Sequence, residues 1–63
     1  MEYKCRTFIK GGMGRPSYDG YVNIYSNKEY PDFHNLVFSK LKRTSFPEIW
    51  LNDVVVSDIK KIG

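Results

Sequence analysis

Residues 2–10 alternate between two kinds of side chain, which is the pattern of a strand with one buried face. Successive side chains of a strand point to opposite faces of its sheet. One side is formed by Tyr3, Cys5, Thr7 and Ile9. The other side is formed by Lys4, Arg6, Phe8 and Lys10. The first strand is therefore expected to bury its odd-numbered residues and to expose three cations and one aromatic ring.

Residues 21–26 form a second alternating segment, which follows a glycine-rich stretch. Val22 and Ile24 make its only apolar side, so we expect both of them in the core. The intervening residues 11–20 contain four glycines and one proline, which predicts a loop. This loop exceeds the usual hairpin connection of about 2–5 residues. Long loops often carry function, so its single cation, Arg15, is a candidate for binding an anionic partner.

Residues 33–43 place their apolar side chains at helical spacing, which predicts a helix. Asp32 can cap the free backbone N–H groups at the start of this helix. Lys40, Lys42 and Arg43 lie at the end where the helix dipole favours cations. Phe38 falls outside the apolar stripe, so a strand over residues 36–42 remains the alternative.

Two short strands are predicted after the helix, over residues 48–52 and 54–57, with a turn at Asn52 and Asp53. The order ββαββ predicts an α+β domain, an antiparallel sheet with one helix across one face. If residues 36–42 form a strand, five short strands suggest a small SH3-like or OB-like β-barrel. Six residues are expected in the core: Val22, Ile24, Leu36, Leu41, Val54 and Val56.

Trp50 has two possible positions because its neighbours Ile49 and Leu51 are both apolar. If those neighbours are buried, alternation places Trp50 on the exposed face beside Phe8 and Tyr21. If the strand is reversed, Trp50 is the centre of the core. The core position is favoured because tryptophan is highly buried on average.

Length and composition predict one small domain over residues 1–63. A chain of 63 residues buries only roughly 60% of the surface that its unfolded form exposes, so function is expected on a face and not in a deep cleft. One cysteine excludes an intrachain disulfide, and no apolar run approaches the roughly 20 residues of a membrane span. We therefore expect a cytoplasmic protein without a membrane partner, while the oligomeric state stays open.

The side chains that carry chemistry do not form a catalytic or metal-binding set. His34 is the only histidine and has no evident catalytic partner, and the seven acids are scattered. One histidine and one cysteine are too few for a zinc site. The glycines of residues 11–15 lack the Gly-Lys-Ser/Thr sequence of a phosphate-binding loop and lead into a strand. We therefore expect no enzyme, no cofactor and no metal.

The exposed face of the first two strands combines cations with aromatic rings. Cations contact phosphates and rings stack on unpaired bases, which predicts a module that binds single-stranded or structured nucleic acid. The candidate nucleic-acid-binding residues are Lys4, Arg6, Phe8, Lys10, Arg15, Tyr21 and Tyr25. The alternative is a protein-binding factor, an inhibitor or adaptor that docks the same face on a larger protein. A merely solvated face would also carry such residues.

Overall fold

Three antiparallel strands form one sheet, and a single helix crosses one of its faces. The computed structural model describes all residues from 1 to 63. Strand β1 is Glu2–Ile9, β2 is Tyr18–Tyr25 and β3 is Val54–Lys61, in the spatial order β2-β1-β3. Helix α1 is Phe33–Thr44, and a short 3-10 helix, Leu51–Asp53, precedes β3. This architecture confirms the predicted α+β class and excludes the barrel alternative for residues 36–42.

The core lies between the sheet and α1. It contains nine buried apolar residues: Tyr3, Cys5, Ile9, Val22, Ile24, Val37, Leu41, Ile49 and Val54. Four of the six predicted core residues are among them, while Leu36 and Val56 are partly buried and pack against the cluster. Thr7 is also fully buried, and its hydroxyl donates to the carbonyl of Cys5 at 3.3 Å. The predicted inner side of the first strand is therefore confirmed.

Helix α1 begins at the predicted residue, Phe33, and ends at Thr44, one residue beyond the predicted end. The Asp32 side chain accepts a hydrogen bond from the backbone N–H of Asn35 at 3.2 Å, as expected for a cap. Val37 and Leu41, one helical turn apart, are the buried residues of the helix. No helix of the structure is long and apolar enough to span a membrane.

Strand β2 starts at Tyr18, three residues before the predicted start, so residues 18–20 belong to a strand and not to the loop. Gly20 misled the sequence interpretation because glycine is usual in loops. Within the strand, glycine at position 20 leaves room for the Tyr18 side chain, because a Cβ there would lie only 2.8 Å from the Tyr18 hydroxyl. That hydroxyl donates to the carbonyl of Tyr21 at 3.1 Å.

The strand predicted over residues 48–52 is wrong. Trp50 precedes the 3-10 helix, and its backbone N–H donates to the Asp53 carboxylate at 3.4 Å. The His34 ring nitrogen Nε2 lies 2.9 Å from the carbonyl oxygen of Leu51, which ties this segment to α1. Such side-chain bonds to the backbone compete with a sheet ladder.

The two edges of the sheet differ in how their outward backbone groups are used. On β2, the carbonyls of Tyr21 and Asn23 accept hydrogen bonds from the side chains of Tyr18 and Lys40. On β3, the register shifts opposite Cys5, where Asp58 and Ile59 form a bulge and Asp58 has φ 47°. The outward row of backbone groups is therefore interrupted by side-chain hydrogen bonds on β2 and by a bulge on β3.

Candidate binding surface

The face of the sheet opposite α1, here called the open face, collects most of the candidate residues. Alternation along β1 exposes Lys4 and Phe8 there, with Arg6 half-buried between them, and β2 adds Tyr21 and Tyr25. Five of the seven candidates therefore share one surface. Antiparallel pairing places Arg6 opposite Tyr21, next to the Lys4–Asn23 pair.

Tyr21 lies under two of the cations. The Lys4 ammonium nitrogen is 4.5 Å from the centroid of its ring, and the Arg6 guanidinium carbon is 5.5 Å from it. A cation over an aromatic face is attracted by the ring quadrupole. Tyr21 thus holds Lys4 and Arg6 on the open face, and part of its ring surface is already in use.

Arg6 also forms an ion pair with Asp19 of β2. Its Nη2 and Nε atoms lie 2.7 and 3.1 Å from the same carboxylate oxygen. Hydrogen bonding to Asp19 is the main cause that raises the pKa of the Arg6 guanidinium. The side chains of Arg6 and Asp19 are 42% and 57% exposed, and ion pairs in contact with water are weak, so an incoming phosphate can compete with Asp19.

Phe8 and Tyr25 are the aromatic residues of the open face whose rings carry no cation. Phe8 is 47% exposed and lies beside Val55 of β3, which is 53% exposed. Tyr25 is 73% exposed and lies at the end of β2 opposite Glu2. These two rings are the available stacking surfaces, since the ring of Tyr21 is already contacted.

The glycine loop places Arg15 away from the open face. The loop turns back on itself, and the N–H of Arg15 donates to the carbonyl of Gly12 at 2.8 Å. The Arg15 guanidinium lies 4.6 Å from the centroid of Trp50 and 3.5 Å from the Asp53 carboxylate. Both contacts hold Arg15 near the start of β3, so it lies apart from the five candidate residues that share the open face.

Trp50 is exposed, and its favoured position in the core was wrong. Its neighbour Ile49 is buried, and Trp50 is 63% exposed with Arg15 stacked on its ring. Average burial could not reveal this position, because the contact forms only when the glycine loop folds back.

Lys10 lies at the end of the surface next to that loop. It follows β1, and its backbone N–H donates to the carbonyl of Asp53 at 3.2 Å. With Arg15 and Asp53 it lines a shallow groove of about 470 Å³. Lys10 and Arg15 therefore extend the candidate surface beyond the strands.

The open face carries one of the grooves of the molecule. A groove of about 460 Å³ crosses it, lined by Lys4, Tyr21, Asp58, Ile59 and Lys60. No group of three or more His, Cys, Asp or Glu side chains lies together to hold a metal ion. Such a surface can bind an extended anionic molecule or a flat partner, because charges and rings lie side by side.

Comparisons with protein family models, curated proteins and solved structures give no match to this chain.

Proposed function

We propose that this chain is a small non-enzymatic module that binds single-stranded nucleic acid on its open face. The observation that carries the proposal is the combination of two exposed aromatic rings without a stacked cation, Phe8 and Tyr25, with the cations Lys4 and Arg6 between them on one face of the sheet. Single-strand-binding surfaces combine a positive track for phosphates with rings for bases.

The rings are spaced for several bases. Phe8 pairs with Asp19, and Tyr25 lies six residues farther along β2. At a rise of about 3.4 Å per residue, six positions correspond to roughly 20 Å along the strand direction. An extended single strand crosses this distance with Lys4 and Arg6 beneath its backbone. Stacking is tolerant of base identity, so we expect weak sequence preference.

One observation favours the protein-binding alternative. Phe8 and Val55 are adjacent exposed apolar side chains, and Arg6 beside them is already neutralised by Asp19. Buried aromatic anchors with depleted charge are typical of protein interfaces. Under this alternative the chain docks the Phe8 end of the open face on a larger protein as an inhibitor or adaptor.

A pair of neighbouring truncations distinguishes the two functions. Phe8→Ala should reduce the binding of a labelled oligothymidylate by about 1–3 kcal/mol, because one stacking ring is lost. Val55→Ala should leave it unchanged, because an aliphatic side chain offers no ring to a base. Fluorescence anisotropy at about 50 mM salt measures both, and the wild-type salt dependence measures the phosphate contacts.

Lys10→Ala tests the charge part of the surface. It should lower the slope of log affinity against log salt by about 0.7, one phosphate contact. Arg6 is a poorer choice, since its removal leaves the Asp19 carboxylate uncompensated. If the wild-type protein shows no micromolar affinity for any strand at about 50 mM salt, the nucleic-acid function is rejected and the protein-binding alternative takes its place.

A further inference from the structure

Two shallow grooves run along the outer edge of β2, between that strand and α1. One, of about 520 Å³, lies beside Lys4 and Tyr21, and the other, of about 300 Å³, lies beside Tyr25 and Arg43. Lys40 lines both grooves, so they adjoin at its side chain. We call this pair of grooves the β2-edge track.

No acidic residue lines the β2-edge track, which sets it apart from other grooves on the molecule. The groove on the open face contains Asp58, the groove beside Lys10 contains Asp53, and the groove beside Tyr30 contains Glu29. An anion entering any of these meets a carboxylate of its own sign. The charged side chains that line the β2-edge track are all cations, namely Lys4, Lys40 and Arg43.

The cations of the track are also free of ion pairs. The two ion pairs of the structure use Arg6 and Arg15. Lys4 contacts the ring of Tyr21, and Lys40 donates one hydrogen bond to the carbonyl of Asn23, so both keep their charge. Lys4 of the central strand and Lys40 of α1 therefore both present an unpaired positive charge to the β2-edge track.

Complementing the helix dipole does not account for these cations. Helix α1 contains no acidic residue and carries Lys40, Lys42 and Arg43 in its last five positions. The C-terminal end of a helix is equivalent to only about half a negative charge. Most of the positive charge of this helix end thus remains uncompensated.

We infer that the sugar-phosphate backbone of a bound single strand leaves the open face at Tyr25 and follows the β2-edge track, with its phosphates on Lys4, Lys40 and Arg43. This inference rests on the proposed nucleic-acid function and gives it a path. Tyr25 belongs both to the open face and to the track, so a base stacked on its ring places the adjoining phosphates beside Arg43. The hydroxyl group of Ser39 lines the groove beside Tyr25 and can donate to a phosphate oxygen.

Neighbouring positions of α1 supply a matched pair of variants. Arg43 lines the track, whereas Lys42 lies over the ring of Phe38 at 5.5 Å and lines neither groove. Both are exposed cations in the last turn, so each substitution removes one charge from the same helix end. Circular dichroism should show an unchanged fold for both.

The experiment titrates a labelled oligothymidylate with the wild type, Arg43→Ala, Lys42→Ala and Phe8→Ala over a range of salt concentrations. Arg43→Ala should weaken binding several-fold and lower the salt slope by about 0.7, while Lys42→Ala should leave the slope at the wild-type value. Phe8→Ala should weaken binding at an unchanged slope, because it removes stacking and no charge.

The outcomes separate the path from the function. If the wild type binds, Phe8→Ala weakens binding, and Arg43→Ala behaves as Lys42→Ala does, the β2-edge track is rejected while the open-face function stands. If the wild type does not bind, both are rejected. A selective loss with Arg43→Ala supports the path.

Discussion

Cys5 is the residue that fixes which side of β1 faces the helix. It is fully buried at the centre of the central strand, opposite Val22 on β2 and the bulge on β3. Burial raises the pKa of its thiol, because a thiolate is disfavoured away from water. The reactive form is therefore scarce as well as inaccessible.

We expect Cys5 to resist a soluble thiol reagent in the native protein and to react fully in denaturant. The measurement is the absorbance change on mixing with excess reagent, with and without guanidinium. A variant with an exposed cysteine, Ser17→Cys, serves as the reactive control, since Ser17 lies in the exposed part of the glycine loop. Rapid native labelling of Cys5 would mean that the two faces of β1 are reversed and that Lys4 and Phe8 are not on the open face.

At the scale of elements, α1 depends on one charged cap. Asp32 accepts hydrogen bonds from the backbone N–H and the side-chain amide of Asn35. These bonds lower the pKa of the Asp32 carboxyl, and the bond from the Asn35 side chain has the larger effect. Its folded pKa lies below the unfolded value, so it stabilises the protein above the unfolded pKa of about 3.9, and this contribution is lost as the pH falls through the folded pKa.

Asp32→Asn should keep the cap, because asparagine is an equally good cap residue, but should remove this part of the pH dependence. We therefore expect thermal melts to show a smaller loss of stability between about pH 5 and pH 2 for Asp32→Asn than for the wild type. Asp32→Ala should lower the melting temperature already at neutral pH, because the cap is lost. Parallel pH curves for the wild type and Asp32→Asn would contradict the role of the charge.

The elements that the sequence predicts well are those set by local signals. The alternation of residues 2–10 and the spacing from Phe33 to Leu41 both give the correct element, because each pattern is completed within a few residues. The strand prediction for residues 48–52 is wrong because this segment is held by a bond between His34 and Leu51. These residues are 17 positions apart, so no local pattern reveals the bond. The candidate face follows from alternation alone, whereas the Arg6–Asp19 pair requires the register of two strands.

For the whole molecule, the small core sets a narrow margin of stability. Nine apolar residues are buried together, and a single core of this size seldom supplies more than about 3–5 kcal/mol. Single truncations in the core are therefore expected to unfold a measurable fraction of the protein, while truncations on the open face are not.

Ile24→Ala should lower the free energy of unfolding by about 2–4 kcal/mol, because it removes buried methyl groups and leaves a cavity. Ile24 of β2 is 5% exposed and belongs to the core cluster that also contains Val37 and Leu41 of α1. Urea unfolding followed by tryptophan fluorescence measures the change. The matched control Val55→Ala truncates an exposed side chain and should leave the midpoint in place. An unchanged midpoint for Ile24→Ala would contradict the placement of Ile24 and β2 in the core.

Many copies of this chain bound along one long polyanion would come into repeated side-by-side contact. On β2, Tyr18 and Lys40 already occupy the outward carbonyls of Tyr21 and Asn23, and on β3 the bulge at Asp58 breaks the outer row. A neighbouring strand therefore finds no continuous line of acceptors on either side. Copies crowded on a polymer should therefore stay separate folded domains, and their sheets should not join edge to edge into a fibril.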